Sequence, residues 1–496
     1  MDRRKGNPLQ RLVSNTTALS LTQVARLGFN MVLSVLVARQ LGAEGLGKFA
    51  VLTAYLQIFQ IIAKMGVHRL GVREMARQPG ESQHWFQRMV VNQVLGAGGS
   101  AGLLVLVAHL LNHPADTTQA LGIVSLSLLP FAISSAAESA FQAREQMGFV
   151  ALTQVGAKGV QVAGSVMVLL SDHGIAALAW MVVLGQCVAA VIAIVTARRM
   201  NLWRGFHVDL REAMSLFRQA FDFFIMSLSV NVFSRLDVLI LSQMVGEKAV
   251  GLYNAAYLIV RVINFLSASY SEAAYPVLSR LFVRARARFE TLLRKSLLLG
   301  MTVTLLVAVL LAINAEPIID LLYRGEEYTG SASLLRILSA SVVVSIWNAL
   351  LSKGLIAGDL QRRSVVVSGV KLATGLVYSI LLTAWMGAPG TAVAVVLAGL
   401  TGVVLNTYFL NKEICSLDLV ALAARPLAIG IILLGVLWMT EGLAWPVLVV
   451  GGVLLYISLL LVFRVFSLED ISLFRQAFWP MWQRRQGLPM GSDKDK

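Results

Sequence analysis

Apolar segments of about twenty residues follow one another along nearly the whole chain, from Val13 to Val465. A helix of about 20 apolar residues is long enough to cross the hydrocarbon core of a bilayer. Because that core offers no partner for backbone N–H and C=O groups, a repeated pattern of such segments is typical of transmembrane helices. The sequence therefore predicts an all-α polytopic membrane protein.

The composition agrees with this class. Of the 496 residues, 57% are hydrophobic and only 14% are charged, whereas about 25% of the residues in soluble domains are charged. The net charge of +15 raises the question of nucleic-acid binding, but the basic residues are spread over many short loops. Because there is no contiguous basic domain, we expect no nucleic-acid partner.

The apolar pattern predicts about fourteen transmembrane helices separated by short loops. The predicted spans are 13–37, 46–66, 88–110, 118–137, 148–170, 174–197, 220–244, 250–276, 295–315, 331–352, 365–386, 389–410, 425–441 and 444–464.

Lysine and arginine are distributed unevenly between the two sets of alternate loops. One set, together with both termini, holds most of the 42 Lys and Arg residues. The opposite set holds only four, which are Arg39, Lys48, Lys248 and Arg324. Cytoplasmic loops of membrane proteins carry the excess of positive charge. We therefore predict an even number of spans, with both termini in the cytoplasm.

A few cations fall inside the predicted spans. Insertion scales put the cost of each such charge at about 2.5–3.5 kcal/mol. Cations that are retained in spite of this cost indicate an anionic partner, so the sequence predicts a transporter of a negatively charged substrate. The six residues are Arg26, Lys158, Arg235, Arg261, Arg336 and Lys371.

Two glycine-containing turns indicate an internal repeat. Each turn joins the first two spans of a six-span set. Because six is an even number, the two sets share one orientation, which predicts a pseudo-two-fold axis along the membrane normal. Chance recurrence of glycine in short turns is the alternative. Segments 41–49 and 245–253 align at an offset of 204 residues, which pairs Gly42 with Gly246, Gly47 with Gly251, and Phe49 with Tyr253.

The repeat predicts four parts of the chain. Residues 1–198 form an N-lobe of spans 1–6, residues 199–219 a cytoplasmic linker, and residues 220–412 a C-lobe of spans 7–12. Residues 413–496 form a C-terminal helix pair, spans 13 and 14, followed by a basic cytoplasmic tail. The last pair carries no charge in mid-span, so we expect it to be peripheral to the working core.

The chain resembles the polysaccharide biosynthesis flippases of the multidrug/oligosaccharidyl-lipid/polysaccharide exporter superfamily. The resemblance covers nearly the whole chain and rests on the basic start, on LGAEGLGKFA at 41–50, and on RLDVLILSQMVGEKAVGLYNAAY at 235–257. It implies two six-helix lobes, a V-shaped central cavity and alternating access. The implied substrate is an undecaprenyl-pyrophosphate-linked oligosaccharide, such as an O-antigen or exopolysaccharide repeat unit, which moves from the inner to the outer leaflet of a bacterial inner membrane.

The resemblance leaves alternatives within the superfamily, namely a flippase for lipid-linked peptidoglycan precursor and a multidrug exporter. Its implied partners are the lipid-linked oligosaccharide, the bilayer, and glycan polymerase and chain-length components. A membrane enzyme is disfavoured because the longest outside loop, about residues 315–331, is short and lacks histidine. A non-transporting scaffold would leave the cations in the spans unexplained.

Arg26 is the first candidate for binding the substrate. It lies in the middle of span one, and helical spacing puts Gln23 and Asn30 near the same face. A polar stripe in a span normally faces a cavity or a partner helix. We expect the guanidinium to bind pyrophosphate in a bidentate manner, with a structural ion pair as the alternative.

Arg235 and Asp237 lie near the middle of span seven. Residues two positions apart on a helix do not face each other, so they are not automatically a pair. One hypothesis is that Asp237 binds the proton or sodium ion that couples transport to a gradient. A static salt bridge is the alternative.

The other candidate residues follow from their positions in the spans. Arg261 is expected to share a polar face with Asn264 on span eight, and Lys158 and Lys371 are candidates for contact with the substrate. The acidic residues Glu138 and Glu272 end spans four and eight, where they could form gate salt bridges or simply anchor the helix at the interface.

Two further motifs do not indicate a cofactor or a metal. Residues 96–101, with the sequence GAGGSA, match a dinucleotide-binding pattern but lie inside a span with no strand before them. His109 and His113 have a spacing that can bind a metal but no partner ligand in view. We therefore expect neither a cofactor nor a metal site.

Overall fold

A computed structural model describes residues 8–171, 173–205, 210–231, 235–440 and 444–463. These residues form helices without any strand. The helices are α1 (Pro8–Lys64), α2 (Val67–Arg77), α3 (Ser82–Leu110), α4 (Ala115–Ser125), α5 (Leu128–Ala143), α6 (Met147–Leu170), α7 (Ile175–Arg199), α8 (Leu210–Asn231), α9 (Leu236–Met244), α10 (Glu247–Arg284), α11 (Arg286–Ile313), α12 (Ala315–Tyr323), α13 (Thr329–Ala357), α14 (Gln361–Met386), α15 (Ala388–Glu413), α16 (Leu419–Met439) and α17 (Trp445–Val462).

The prediction of an all-α polytopic membrane protein is confirmed. Eleven helical stretches of the described residues are long and apolar enough to cross a membrane. One of them, Thr17–Lys64, has 48 residues, which at about 1.5 Å per residue is more than twice the thickness of a bilayer core. This stretch covers most of two predicted spans, 13–37 and 46–66. The total of fourteen spans stays a prediction.

Two predicted spans are each divided between two helices. Span 118–137 is covered by α4 and α5, and span 220–244 by α8 and α9. Helix α9 begins at Leu236, with Arg235 as its N-cap residue. Arg235 and Asp237, which were expected in the middle of a helix, therefore lie at the start of α9.

The repeat that the sequence predicts is visible in the backbone. Helix α1 contains a non-helical residue at Gly42, with φ 68° and ψ −172°. The matched Gly246 has φ 110° and lies between α9 and α10. Both values fall in the left-handed region, which glycine adopts without the steric cost of a Cβ. The two matched glycines therefore both have a positive φ at their turns.

The chain divides into two compact units, and unit 1 comprises residues 1–258, 320–331 and 376–391. Within it, α1 packs against α3 and α6, while α5 packs against α3 and α7. One apolar core of this unit is built around the fully buried side chains of Phe86, Met89 and Phe141. This packing holds α1, α5 and α6 side by side, which positions the polar groups described below.

Unit 2 comprises residues 259–319, 332–375 and 392–496. Helices α16 and α17 pack against each other and against α11. The Tyr456 hydroxyl donates a hydrogen bond of 2.8 Å to the carbonyl oxygen of Thr302. The predicted C-terminal helix pair is thus present, whereas its tail from residue 464 lies outside the described residues. The boundaries of the predicted lobes and linker remain predictions.

Candidate functional site

A chain of polar groups crosses three helices of unit 1. Arg26 on α1 donates from Nη1 to Gln154 Oε1 on α6 over 3.0 Å. Gln154 in turn donates from Nε2 to Glu138 Oε2 on α5 over 2.8 Å. The Arg26 side chain is exposed, while Gln154 and Glu138 are partly buried. Among the described residues the Arg26 guanidinium makes this one hydrogen bond, which leaves other N–H donors for a ligand.

Lys64 belongs to the same group, although the sequence analysis did not single it out. Its ammonium and the Arg26 guanidinium are the two cations that act electrostatically on the Glu138 carboxylate. The Lys64 Nζ also lies 5.2 Å from the centre of the Phe131 ring. Lys64 ends α1 and lies close to the end of the predicted span 46–66. We call Arg26, Lys64, Glu138 and Gln154 the inner cluster.

Other predicted residues on α1 and α6 lie near the inner cluster in sequence. Gln23 is exposed and Asn30 is partly buried, as expected for a stripe at the surface of α1. Lys158 donates from Nζ to Gln161 Oε1 over 3.1 Å. A Cβ placed on Gly159 would be 3.8 Å from Phe29 Cζ, so α1 and α6 are in direct contact here.

Arg235 and Asp237 engage different partners. Arg235 is 9% exposed and donates from Nε to Gln57 Oε1 over 3.0 Å. Asp237 Oδ2 accepts a 2.7 Å hydrogen bond from the Tyr253 hydroxyl, and its Oδ1 accepts one of 2.9 Å from the Val238 N–H. The carboxylate thus lies at the N-terminus of α9, where the helix dipole favours negative charge.

A second charged cluster lies at the turns of the repeat in unit 1. Lys48 Nζ lies 2.6 Å from Asp116 Oδ2, 2.7 Å from Glu44 Oε1 and 3.9 Å from Glu247 Oε2. The Thr117 hydroxyl donates to Glu247 Oε1 over 2.6 Å. We call this group the outer cluster, because its loops are the ones predicted to face outside. Lys48 appeared in the sequence only as a loop cation.

The two histidines considered for a metal have protein partners. His113 Nε2 lies 2.9 Å from the Tyr55 hydroxyl and 3.0 Å from Gln243 Nε2. Burial lowers the pKa of the His113 imidazole. His109 Nδ1 lies 2.8 Å from the carbonyl oxygen of Val105. Within the described residues there is no group of three or more metal-ligating side chains.

In unit 2, polar residues line α10, α13 and α14. The Ser345 hydroxyl donates to Asn264 Oδ1 over 2.7 Å, and Arg261 lies one helical turn earlier and is partly buried. The stem of Lys371 packs over Gly402, where a Cβ would be 3.2 Å from its Cδ. Arg261 and Asn264 therefore share the predicted face of α10.

Two ion pairs of unit 2 involve residues from the sequence analysis. Glu272 Oε1 on α10 lies 2.7 Å from Lys353 Nζ on α13. Arg336 Nη2 lies 2.8 Å from Glu316 Oε1. Glu272 thus links α10 and α13 through a salt bridge, and its role in a gate stays a prediction.

An apolar cavity of about 520 Å³ also lies in unit 2. Side chains of α11, α13, α15 and α16 line it, among them Leu305, Trp347, Leu400 and Leu427. Arg336 contributes the one charged side chain of the lining. Helix α16, which was expected to be peripheral, forms part of its wall.

Known structures share the fold of this chain. The chain is similar to a structure titled "Lipid II flippase MurJ, inward closed conformation" with a TM-score of 0.74 and 14% identity, covering 94% of this chain and 100% of that one. It is also similar to an inward-facing multidrug resistance MATE family transporter of the MOP superfamily, with a TM-score of 0.63 and 13% identity over 80% of this chain and 98% of that one. A MOP superfamily transporter from Pyrococcus furiosus gives a TM-score of 0.55 and 12% identity over 83% and 96%.

A family model described as polysaccharide biosynthesis protein matches residues 12–282, and one described as MatE matches residues 223–381. The chain belongs to the polysaccharide biosynthesis protein family, within the multidrug/oligosaccharidyl-lipid/polysaccharide exporter superfamily. No curated protein sequence matches it significantly. The predicted family is confirmed, and the chain is a multi-pass membrane transporter of the flippase type.

Proposed function

We propose that the protein moves an undecaprenyl-pyrophosphate-linked oligosaccharide, an O-antigen or exopolysaccharide repeat unit, from the inner to the outer leaflet of a bacterial inner membrane. The inner cluster carries this proposal. An exposed guanidinium with free donors, beside a second cation, suits a pyrophosphate group, which offers several acceptor oxygens.

The predicted orientation supports loading from the inner leaflet. Lys64 ends α1 and Glu138 lies near the end of α5, at the helix ends that the charge distribution assigns to the cytoplasm. A headgroup at the cytoplasmic surface would meet these residues first. The same reasoning places both termini in the cytoplasm.

The cavity of unit 2 supports a lipid-linked substrate. Its volume of about 520 Å³ and its almost wholly apolar lining suit a segment of hydrocarbon chain, because burying apolar surface there costs no hydrogen bond. A wholly water-soluble sugar has no hydrocarbon chain that could pack against this lining. Glycan polymerase and chain-length components are the proposed protein partners.

A second candidate is the lipid-linked peptidoglycan precursor, which carries the same kind of anionic lipid headgroup. The likeness of 94% of the chain to a lipid II flippase structure favours it only as far as the fold goes. The two candidates differ in the glycan and not in the pyrophosphate. The inner cluster is therefore compatible with both, and the experiment must offer both substrates.

The test is reconstitution of the purified protein in liposomes with a labelled lipid-pyrophosphate oligosaccharide or a labelled peptidoglycan precursor. Glycan that reaches the opposite leaflet is measured by its accessibility to an added glycosidase or lectin. We expect delivery of the oligosaccharide by the wild type and its loss in Arg26→Ala, Arg235→Ala and Arg261→Ala at equal protein density. If only the peptidoglycan precursor is delivered, it is the substrate in place of the oligosaccharide. If neither is delivered, the proposal is wrong.

A further inference from the structure

The inner cluster contains a carboxylate where a site for an anion should exclude one. Glu138 is partly buried and is connected to Arg26 through the Gln154 amide. The Lys64 ammonium lies against the same helix, with its Nζ 5.2 Å from the centre of the Phe131 ring, two helical turns before Glu138. A carboxylate at this position repels a phosphate group that approaches the same cations. Its presence therefore calls for an explanation within the transport function.

The Gln154 amide shows how the carboxylate and the guanidinium are connected. Its carbonyl oxygen faces Arg26 at 3.0 Å and its NH₂ group faces Glu138 at 2.8 Å. Because an amide presents an acceptor on one side and donors on the other, its orientation here follows the order of the two charges. A ligand that replaced Gln154 as the hydrogen-bond acceptor of Arg26 would free the amide oxygen. The hydrogen bond between the Gln154 NH₂ group and Glu138 would stay in place.

The charges of the empty site also need compensation. Two cations close together in a membrane-spanning region repel each other and lose hydration. A carboxylate beside them reduces this cost while no substrate is present. It also lowers the net positive charge that a substrate meets, so it weakens the binding of any anion.

We propose that Glu138 is a built-in counter-ion of the pyrophosphate site, which neutralises Arg26 and Lys64 in the empty transporter and competes electrostatically with the bound headgroup. This inference rests on the proposed function. The competition keeps the affinity for the headgroup moderate, and a moderate affinity lets the transporter release its lipid at the opposite leaflet. Glu138 thus favours a high rate of lipid transport over tight binding of the lipid.

The direct test measures the affinity of the purified protein, in lipid nanodiscs, for inorganic pyrophosphate and for undecaprenyl pyrophosphate. Glu138→Gln keeps the shape and a hydrogen-bonding partner for Gln154 but removes the charge. We expect both probes to bind about tenfold more tightly, the scale of one charge at a partly buried site. Lys64→Met should weaken binding, and the double variant should return close to the wild-type affinity.

Two further variants keep the test decisive. Glu413→Gln removes a carboxylate that lies 2.9 Å from Arg363 Nε in unit 2, and it should leave the affinity unchanged. Gln154→Glu adds a carboxylate beside Arg26 and should weaken the binding of both probes. This change in affinity, opposite to the one expected for Glu138→Gln, tests the role of the charge even if Glu138→Gln does not fold. In liposomes, Glu138→Gln should lower the half-saturating concentration of the lipid and also lower the maximal rate.

The outcomes separate this inference from the proposed function. If the wild type binds and delivers the lipid-linked glycan but Glu138→Gln binds no more tightly, the counter-ion role is wrong and the flippase stands. The same holds if Gln154→Glu leaves the affinity unaltered. If the wild type binds neither probe and Arg26→Ala changes nothing, the pyrophosphate site itself is wrong.

Discussion

Gly47 and Gly251 pack backbone against backbone in a reciprocal contact. A Cβ on Gly47 would lie 1.7 Å from the carbonyl oxygen of Glu247, and a Cβ on Gly251 would lie 1.8 Å from that of Ala43. Each glycine thus meets the residue four positions before the other. Such a mutual contact is what a two-fold axis produces, so the repeat in the sequence is also a symmetric contact in space.

The reciprocal contact predicts that neither glycine tolerates a side chain. Gly47→Ala and Gly251→Ala should each lower stability by about 3 kcal/mol, because backbone atoms must move to make room. Gly98→Ala on α3 is the matched control, since nothing lies within 4 Å of its Cβ position. Thermal unfolding in detergent measures all three, and equal unfolding temperatures for Gly47→Ala and Gly98→Ala would contradict the contact.

The guanidinium geometry of Arg26 predicts a difference between two substitutions. Arg26→Lys keeps the charge but loses the planar set of donors that binds phosphate oxygens in pairs. We expect it to retain part of the glycan delivery, whereas Arg26→Ala abolishes it. Rates of delivery in liposomes give the comparison, and full activity of Arg26→Ala would show that the headgroup binds elsewhere.

The outer cluster predicts a dependence of stability on Lys48. Lys48→Met leaves Glu44, Asp116 and Glu247 without the cation that lies between them. Their mutual repulsion should lower the unfolding temperature by about 2–4 °C, which corresponds to about 1 kcal/mol. Lys248→Met changes an exposed lysine of the matched turn, 245–253, and should have no effect. Similar unfolding temperatures for the two variants would show that the cluster contributes little.

Asp237 remains a candidate for coupling transport to an ion gradient. Asp237→Asn keeps the hydrogen bond from the Tyr253 hydroxyl but removes the charge that a proton or sodium ion would bind. We expect delivery that no longer responds to an imposed proton or sodium gradient. Tyr253→Phe removes only the 2.7 Å hydrogen bond and should keep the response. A gradient response that persists in Asp237→Asn would leave the residue a purely structural role.

The connection between α15 and α16 predicts a pH-dependent reactivity. Burial raises the pKa of the Cys415 thiol to about 11, so almost none of it is thiolate at neutral pH. Labelling by maleimide in a Cys187→Ala background should accelerate about tenfold per pH unit up to pH about 11. Since the pKa of the folded thiol exceeds its ordinary value of 9.0, this group's contribution to stability falls as the pH rises from 9 to 11. A rate that levels off near pH 9 would contradict the burial.

The class of the protein and its repeat could be predicted from the sequence because both depend on local patterns. A bilayer requires about 20 apolar residues for each crossing, and a left-handed turn favours glycine. Gly42 and Gly246 therefore identify equivalent turns without any knowledge of contacts. The start of α9 at Leu236 was not predicted, because span seven contains neither a glycine nor a proline that would indicate a helix boundary.

The partners of the polar residues could not be predicted in the same way. Arg26 and Gln154 are 128 positions apart, and Tyr253 reaches Asp237 from a different helix. Which side chains meet depends on how each helix is rotated and shifted against its neighbours, and many rotations satisfy the same apolar pattern. The sequence by itself determined the membrane class and the matched glycine turns, while the orientation stays a prediction. Only the tertiary structure decided that Lys64 and Glu138 join Arg26, because packing between α1, α5 and α6 sets those rotations.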